Sequence, residues 1–211
     1  MYRMKIPKPT VKRLAIYYRC LERLVDKGID NISSRQLAEM LHIKDTQVRK
    51  DLSYFGNFGR RGFGYKTRVL LDEIRKILGI HKRWNVIIVG AGNIGKAIAR
   101  FKQIEKHNFK ITGIFDVDRK KIGKRINSDL IVMSVDEMEN FIEKTGSELA
   151  VIATPAEAAQ LIADRLKNSG IKGIICFAPV TLNTDIPVEY VDITIFFKTL
   201  VHSVISLSHN I

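Results

Sequence analysis

Val86-Ile-Ile-Val-Gly90-Ala-Gly92-Asn-Ile-Gly95 is the stretch whose reading decides the fold. A run of β-branched apolar residues ends in three glycines spaced G-x-G-x-x-G, and Lys96-Ala-Ile-Ala-Arg-Phe101 continues it at helical spacing. Strand, tight turn and helix start in this order make a cradle for a diphosphate. Gly90 permits the turn, Gly92 lets backbone approach phosphate, and Gly95 lets the helix lie close to the strand. The free N–H groups and positive dipole end of that helix then face the anion, and Gly90, Ala91, Gly92, Asn93, Ile94 and Gly95 are the residues expected to hold it. Phe109-Lys-Ile-Thr-Gly-Ile-Phe-Asp116 reads as the next strand, and Asp116 stands 21 residues past Gly95. An acid here accepts from the adenine ribose hydroxyls and repels a 2′-phosphate, which favours NAD(H). Asp118 is the alternative for that role.

The rest of this half alternates strand and helix. Leu130–Met133 is a short strand and Val135–Lys144 a helix. Leu149–Ala153 is an apolar strand running into Thr154-Pro155. Ala156–Asn168 is a helix stopped by Gly170, and Gly173–Phe177 is a strand running into Ala178-Pro179. In such sheets ligands bind beyond the carboxyl ends of the strands. Thr154, Pro155, Ala178 and Pro179 are therefore expected to line the nicotinamide end, although a proline stop signal explains each of them equally well.

The first 84 residues differ in character. They hold 20 Lys+Arg against 8 Asp+Glu, a net of +12, whereas residues 85–211 are almost neutral at +1. A basic half points to a polyanion, nucleic acid before an anionic membrane surface. Leu14, Tyr17, Tyr18, Leu21, Leu24 and Val25 recur at helical spacing behind Thr10, the expected N-cap. Ser33 and Ser34, both expected to contact DNA, precede a second, two-turn helix, and a short turn leads to a third helix over 45–55, expected to be capped by Asp45. Val48, Leu52 and Phe55 face inward there. Thr46, Gln47, Arg49, Lys50, Ser53 and Tyr54 face outward as hydrogen-bonding and cationic groups, a helix-turn-helix composition. Gly56-Asn-Phe-Gly59-Arg60-Arg61-Gly62-Phe63-Gly64-Tyr65 fits a β-hairpin wing, with Arg60, Arg61 and Tyr65 placed to meet the sugar–phosphate backbone. Residues 66–78 read as a connecting helix.

The last segment, residues 191–208, is a helix behind Asp192. Ile193, Phe196, Phe197, Leu200, Val201, Val204, Ile205 and Leu207 cover most of its circumference. It needs burial on several sides, and a subunit interface supplies it. About 15 apolar-rich positions broken by Lys198 and His202 fall short of the roughly 20 of a membrane span. The opening Met1-Tyr-Arg-Met-Lys-Ile-Pro lacks the apolar core of a signal peptide. Cys20 and Cys176 match no metal or disulfide spacing, so a reduced, cytoplasmic protein is expected, with no metal.

The expected architecture is α/β: a winged helix-turn-helix domain (1–84), a Rossmann-type domain (85–190) and a C-terminal dimerisation helix (191–211). The chain also resembles the Rex redox-sensing transcriptional repressors of bacteria over essentially its whole length. The resemblance is carried by Tyr17-Tyr18-Arg19, by Gln47-Val48-Arg49-Lys50-Asp51-Leu52-Ser53-Tyr54-Phe55-Gly56, and by Arg61-Gly62 and Gly64-Tyr65. The glycine fingerprint, Phe115-Asp116-Val117-Asp118 and Phe177-Ala178-Pro179-Val180 extend it. It implies a homodimer on palindromic double-stranded operator DNA, a Rossmann domain sensing NADH against NAD+, and a terminal helix exchanged between subunits. NADH would favour a closed form that leaves the operators of fermentation and respiration genes. The family's polar relay would run through Arg19 and Asp192, next to Ile193 on the exchanged helix. Its third member, usually a tyrosine near the cofactor, is Phe101 here. Two other readings compete: an NAD-dependent dehydrogenase with a basic accessory domain, and a CoA-binding protein using the same glycine loop. Against the first, no separate substrate domain follows and no histidine–carboxylate pair is recognisable.

Overall fold

A computed structural model of the chain describes residues 6–56 and 64–208. It divides into two compact units, residues 1–82 and 83–211.

In the first unit, α1 (Lys8–Asp26) is followed by β1 (Asn31–Ile32), α2 (Ser34–Leu41), α3 (Asp45–Ser53), β2 (Tyr65–Lys66) and α4 (Thr67–Ile77). One apolar stripe from each helix meets in a single core: Leu14, Tyr17 and Leu21 of α1, Leu37 of α2, Val48 and Leu52 of α3, and Leu70 and Ile74 of α4. Ser33 starts α2 with a reciprocal cap. Its Oγ accepts from the Gln36 N–H at 3.1 Å, and Gln36 Oε1 accepts from the Ser33 N–H at 2.9 Å. His42, in the left-handed region at φ 54°, ends α2, and the chain turns within three residues into α3. β1 and β2 pair antiparallel, Asn31 with Lys66 and Ile32 with Tyr65. Gly64 precedes β2 at φ +74°, and a Cβ there would meet the Ile32 carbonyl oxygen at 2.6 Å. The body of the expected wing, with Arg60 and Arg61, lies outside the described residues.

Two helix starts differ from expectation. α1 begins at Lys8 behind Pro7, so Thr10 sits inside the first turn, buried, and its hydroxyl donates to Asp51 rather than capping. Lys44, not Asp45, holds the N-cap position of α3. Asp45 is the first helical residue and pairs with Arg49 one turn on, at 2.7 Å. α3 also stops at Ser53, two residues early, and Gly56 at φ +124° follows its last turn.

The second unit is a six-stranded parallel sheet built from β3 (Trp84–Val89), β4 (Phe109–Asp116), β5 (Val132–Ser134), β6 (Leu149–Ile152), β7 (Gly173–Cys176) and β8 (Val188–Tyr190). Their spatial order is β5-β4-β3-β6-β7-β8, the doubly wound order in which the chain reverses direction between β3 and β6. Helices α5 (Asn93–Arg100), α6 (Gln103–Lys106), α7 (Met138–Thr145) and α8 (Ala156–Asn168) connect them, and α9 (Ile193–Ser208) ends the chain. The period-two alternation of β3 divides the core. Ile87 and Val89 pack with Met138, Ile142, Ile162 and Leu166 of α7 and α8, while Val86 and Ile88 pack with Ala99 of α5 and with Ile126 and Leu130. Strand β8 and the single turn α6 were not expected. β5 begins two residues later than read, because Leu130 and Ile126 close a turn (Ile126 N–H to Leu130 O, 2.8 Å). Ahead of α7, Val135–Glu137 is one 3₁₀ turn capped by Ser134.

Helix α9 leaves its large apolar side chains uncovered among the described residues. Phe196, Phe197, Leu200, Val201 and Leu207 are each more than half exposed. Asp192 caps it, with Oδ1 accepting from the Thr194 N–H at 2.8 Å. Among the described residues no helix is long and apolar enough to cross a membrane.

Candidate functional site

The glycine loop lies at the switch point, between the carboxyl ends of β3, β4 and β6. Each glycine has its own reason. Gly90, at φ +106°, passes so close to β6 that a Cβ would lie 2.4 Å from the Ala153 carbonyl oxygen. At Gly95 a Cβ would meet the Gly90 carbonyl oxygen at 1.9 Å, so helix and turn touch backbone to backbone. Gly92 differs: its φ of −80° suits any residue, and nothing lies within 4 Å of a Cβ built there. The protein's own packing does not require a glycine at 92. α5 starts beside that open space. Lys96 is the first residue whose N–H finds an intrahelical acceptor (Gly92 O, 3.0 Å), so the N–H groups of Asn93, Ile94 and Gly95 are left to an incoming anion.

Asp116 closes the loop from β4. Oδ2 accepts from the Ala91 N–H at 2.7 Å and from Lys121 Nζ at 2.9 Å, and Oδ1 accepts from the Asp118 N–H at 2.9 Å. Burial pushes this carboxyl up, but the Asp118 N–H, Lys121 and the Ala91 N–H together outweigh it and hold the group below the ordinary carboxylate value. Asp116 therefore fixes the loop, a role beyond the ribose contact expected of it. Asp118 is more open, and its Oδ1 accepts from the Lys120 N–H. Thr154-Pro155 follows β6 directly beside Gly90. The Thr154 Oγ1 is buried and has no hydrogen-bond partner among the described residues. Ala178-Pro179 follows β7, held by the Phe177 N–H to Ile152 O bond. These loops, the glycine turn and Asp116 share one edge of the sheet.

Phe101 does not join them. It caps the far end of α5, a helix length of about 12 Å from the glycine turn, and is 55% exposed. Arg19 lies on the exposed face of α1 in the first unit, and Asp192 lies in the second. Cys20 and Cys176 are both buried, and burial raises both thiols, which disfavours the reactive thiolate. Among the described residues no cluster of His, Cys, Asp and Glu could hold a metal.

The other candidate surface is α3 with the serines of α2. Thr46, Arg49, Lys50 and Ser53 are exposed. Arg49 is 53% exposed, bonded to Asp45 and, at 3.4 Å, to Ser34 Oγ, so α2 and α3 present one continuous face. Ser33 is committed to the α2 cap, and Ser53 bonds back to the Lys50 carbonyl. Tyr54 stacks edge-on against Phe55, and Tyr65 is half-buried on β2. Gln47 is half-buried too, because its amide donates to Asp51. Asp51, fully buried, is the residue that sequence reasoning passed over. Its position three after Val48 and one before Leu52 places it on the inward stripe, and that was the available signal. Its partners Arg13 and Tyr17 stand on α1, more than thirty residues away.

A helix-turn-helix unit with a basic outer face, joined in one chain to a doubly wound nucleotide-type unit, defines the class of ligand-responsive DNA-binding regulators. Family models agree with each half: a "CoA binding domain" matches residues 81–180 and a "putative DNA-binding protein N-terminus" matches residues 5–53. The redox-sensing transcriptional repressor Rex of Thermosipho africanus is 54% identical over 93% of this chain and 94% of its own. The Rex-family repressor RSP in complex with β-NAD+ and operator DNA superposes with a TM-score of 0.91, at 36% identity, covering 97% of this chain and 95% of that one. RSP in complex with β-NADH superposes at 0.86, at 35% identity over 96% of both chains. The chain belongs to the Rex family of redox-sensing transcriptional repressors.

Proposed function

We propose that this chain is a cytoplasmic, homodimeric repressor that binds a palindromic operator through α3 and the wing and leaves it when NADH fills the glycine loop. The observation that carries the reading is Gly92, a position open to an incoming diphosphate, in a chain whose other unit presents a basic helix-turn-helix face. RSP binds operator DNA with NAD+ and also binds NADH, which supports assigning both partners to this chain. In this reading residues 1–84 are the DNA-binding domain, 85–190 the NAD(H)-binding domain and 191–211 the dimerisation helix. The diphosphate rests on Gly90–Gly95. Asp116 meets the adenine ribose, with Asp118 the alternative for that role, and the Thr154-Pro155 and Ala178-Pro179 loops face the nicotinamide. Ser34, Thr46, Gln47, Arg49, Lys50, Ser53, Tyr54, Arg60, Arg61 and Tyr65 meet DNA, with Ser33 holding α2 in place.

The apolar face of α9 supports a second copy of the chain as its cover, with Arg19, Asp192 and Ile193 at that junction. Hydride addition removes the positive charge of the nicotinamide, so a pocket built largely of apolar loop residues favours NADH. For NADH to release DNA it must bind the DNA-free conformation more tightly. A tenfold preference supplies about 1.4 kcal/mol per site.

The test is a titration of operator affinity at several NADH/NAD+ ratios. Affinity is expected to fall as NADH rises at fixed NAD+. An operator affinity indifferent to saturating NADH overturns the reading. Steady turnover of NADH with common alcohols, aldehydes or hydroxy acids would favour a dehydrogenase instead.

A further inference from the structure

Asp51 is a buried carboxylate that nucleotide binding does not use. It sits on the inner side of α3 and is ringed by donors. Arg13 reaches both of its oxygens, Nη2 to Oδ1 at 2.7 Å and Nε to Oδ2 at 2.5 Å. The Tyr17 hydroxyl donates to Oδ2 at 2.7 Å, Thr10 to Oδ1 at 3.2 Å, and Gln47 Nε2 to Oδ1 at 2.9 Å. Burial pushes the carboxyl up, but Arg13, Tyr17 and Gln47 outweigh it, so the group is ionised at neutral pH.

An ionised carboxylate only accepts. The two ends of a glutamine amide are otherwise interchangeable in space, one donating and one accepting. Beside Asp51 they are not: the NH2 end must face the carboxylate. The carbonyl oxygen is thereby assigned to the outward side, and Gln47 Oε1 has no donor among the described residues. Gln47 is the third residue of α3, in the N-terminal turn from which a helix-turn-helix reads base edges.

We propose that Asp51 sets the polarity of Gln47 as a base reader, so that Gln47 offers an acceptor and selects adenine or cytosine over thymine or guanine at its position on the contacted strand. Adenine N6 and cytosine N4 carry the amino hydrogens that Oε1 accepts, whereas thymine O4 and guanine O6 present a second acceptor to it. The second Nε2 hydrogen remains for adenine N7, so adenine ranks first. In this arrangement Asp51 is a positioning residue and never touches DNA. The inference rests on the reading above, that α3 enters the major groove.

The experiment selects an operator for the full-length wild-type protein from a random duplex library, then scans each half-site position with all four bases. Kd is measured by fluorescence anisotropy for wild type, Gln47→Ala and Asp51→Asn, with melting and NADH titration of each protein. Wild type is expected to prefer adenine or cytosine at one position per half-site, with thymine or guanine there binding roughly 5- to 150-fold more weakly. Gln47→Ala flattens the preference at that position alone. Asp51→Asn flattens it too with the glutamine still present, because an asparagine can donate as well as accept and lets the Gln47 amide turn over. The proposal is overturned if Gln47→Ala flattens a position where wild type prefers thymine or guanine, or flattens none. A folded Asp51→Asn that keeps the preference intact also overturns it. Should Asp51→Asn fail to fold, the base identity lost in Gln47→Ala still decides. If wild type selects no sequence at all, the repressor reading itself fails, and this inference with it.

Discussion

Gly92→Ala separates what the glycine loop does for the protein from what it does for a ligand. The added methyl meets no heavy atom within 4 Å, and φ −80° is open to alanine. Two small stability effects oppose each other. Alanine is a poorer N-cap than glycine by roughly half a kcal/mol, and it restricts the unfolded chain by about 0.4–1 kcal/mol in the other direction. The net is within about 0.5 kcal/mol, a melting shift of at most a few degrees. The same methyl, however, stands at the start of α5, where the N–H groups of Asn93, Ile94 and Gly95 lack intrahelical acceptors and the diphosphate is proposed to rest. NADH affinity is therefore expected to fall at least tenfold, about 1.4 kcal/mol. Gly95→Ala should behave in the opposite manner. Its Cβ would lie 1.9 Å from the Gly90 carbonyl oxygen, a backbone atom that cannot step aside. Overpacking of this kind costs about 1–3 kcal/mol or more, so the apo protein itself melts lower. The assay pairs thermal melting of the nucleotide-free protein with a fluorescence titration of NADH. If Gly92→Ala binds NADH like wild type, or melts as low as Gly95→Ala without ligand, the reasoning is refuted.

Other perturbations address the remaining contacts. Asp116→Ala removes the acceptor for the Ala91 N–H as well as a ribose partner, so both loop order and NADH affinity fall while operator binding without nucleotide persists; titration calorimetry and a DNA shift measure the two. Arg49→Ala is expected to weaken operator binding by about 1–3 kcal/mol and leave NADH affinity unchanged. Asp51→Ala leaves Arg13 and Tyr17 without their acceptor. Arg13 keeps 27% of its side chain exposed, so the cost falls below that of a fully buried pair, at about 2–3 kcal/mol by urea unfolding. Asp51 and Asp116 both titrate below their ordinary value. Their contribution is complete above about pH 5 and is lost as the pH falls through the depressed native values. Stability is therefore expected to drop with acid below about pH 4, and an Asp51→Asn variant should show a flatter acid limb.

The elements that were legible in the sequence are those fixed by backbone constraints close in the chain. The β3–α5 turn follows from glycine spacing, and α8 runs over Ala156–Asn168 as read, because Pro155 starts it and Gly170, at φ +83°, ends it. The illegible ones depend on partners distant in sequence. β8 is three residues long, and only its pairing with β7 makes it a strand. Thr10 satisfies the local rule for a helix cap, yet Asp51, 41 residues on, claims its hydroxyl. At the candidate sites, residue types were readable but their commitments were not. Gln47 looked like a free outward amide, and Asp116 like a carboxylate waiting for a ribose. In the fold each is already bonded, and those bonds decide what remains to offer a ligand.

Operator specificity depends on α9. One α3 contacts only a few base pairs, a pattern that recurs by chance roughly once in a few hundred, far too often for a single regulatory site among millions of competitors. Specificity therefore needs two copies of α3 acting together, and the device that joins them must outweigh the association entropy. Nine large apolar side chains on α9 are each half exposed or more, among them Phe196, Phe197, Leu200 and Leu207. Covering such a side chain is worth about 1 kcal/mol, hence about 9 kcal/mol per helix and twice that for a symmetric pair, against an association cost of roughly 4–15 kcal/mol. Leu200→Glu puts a charge in the middle of that stripe without touching α3 or the glycine loop. It is expected to give a monomer in sedimentation that still binds NADH but holds operator DNA no more tightly than random duplex. A Leu200→Glu protein that remained dimeric, or a monomer that kept full operator preference, would show that α9 does not couple the two reading units.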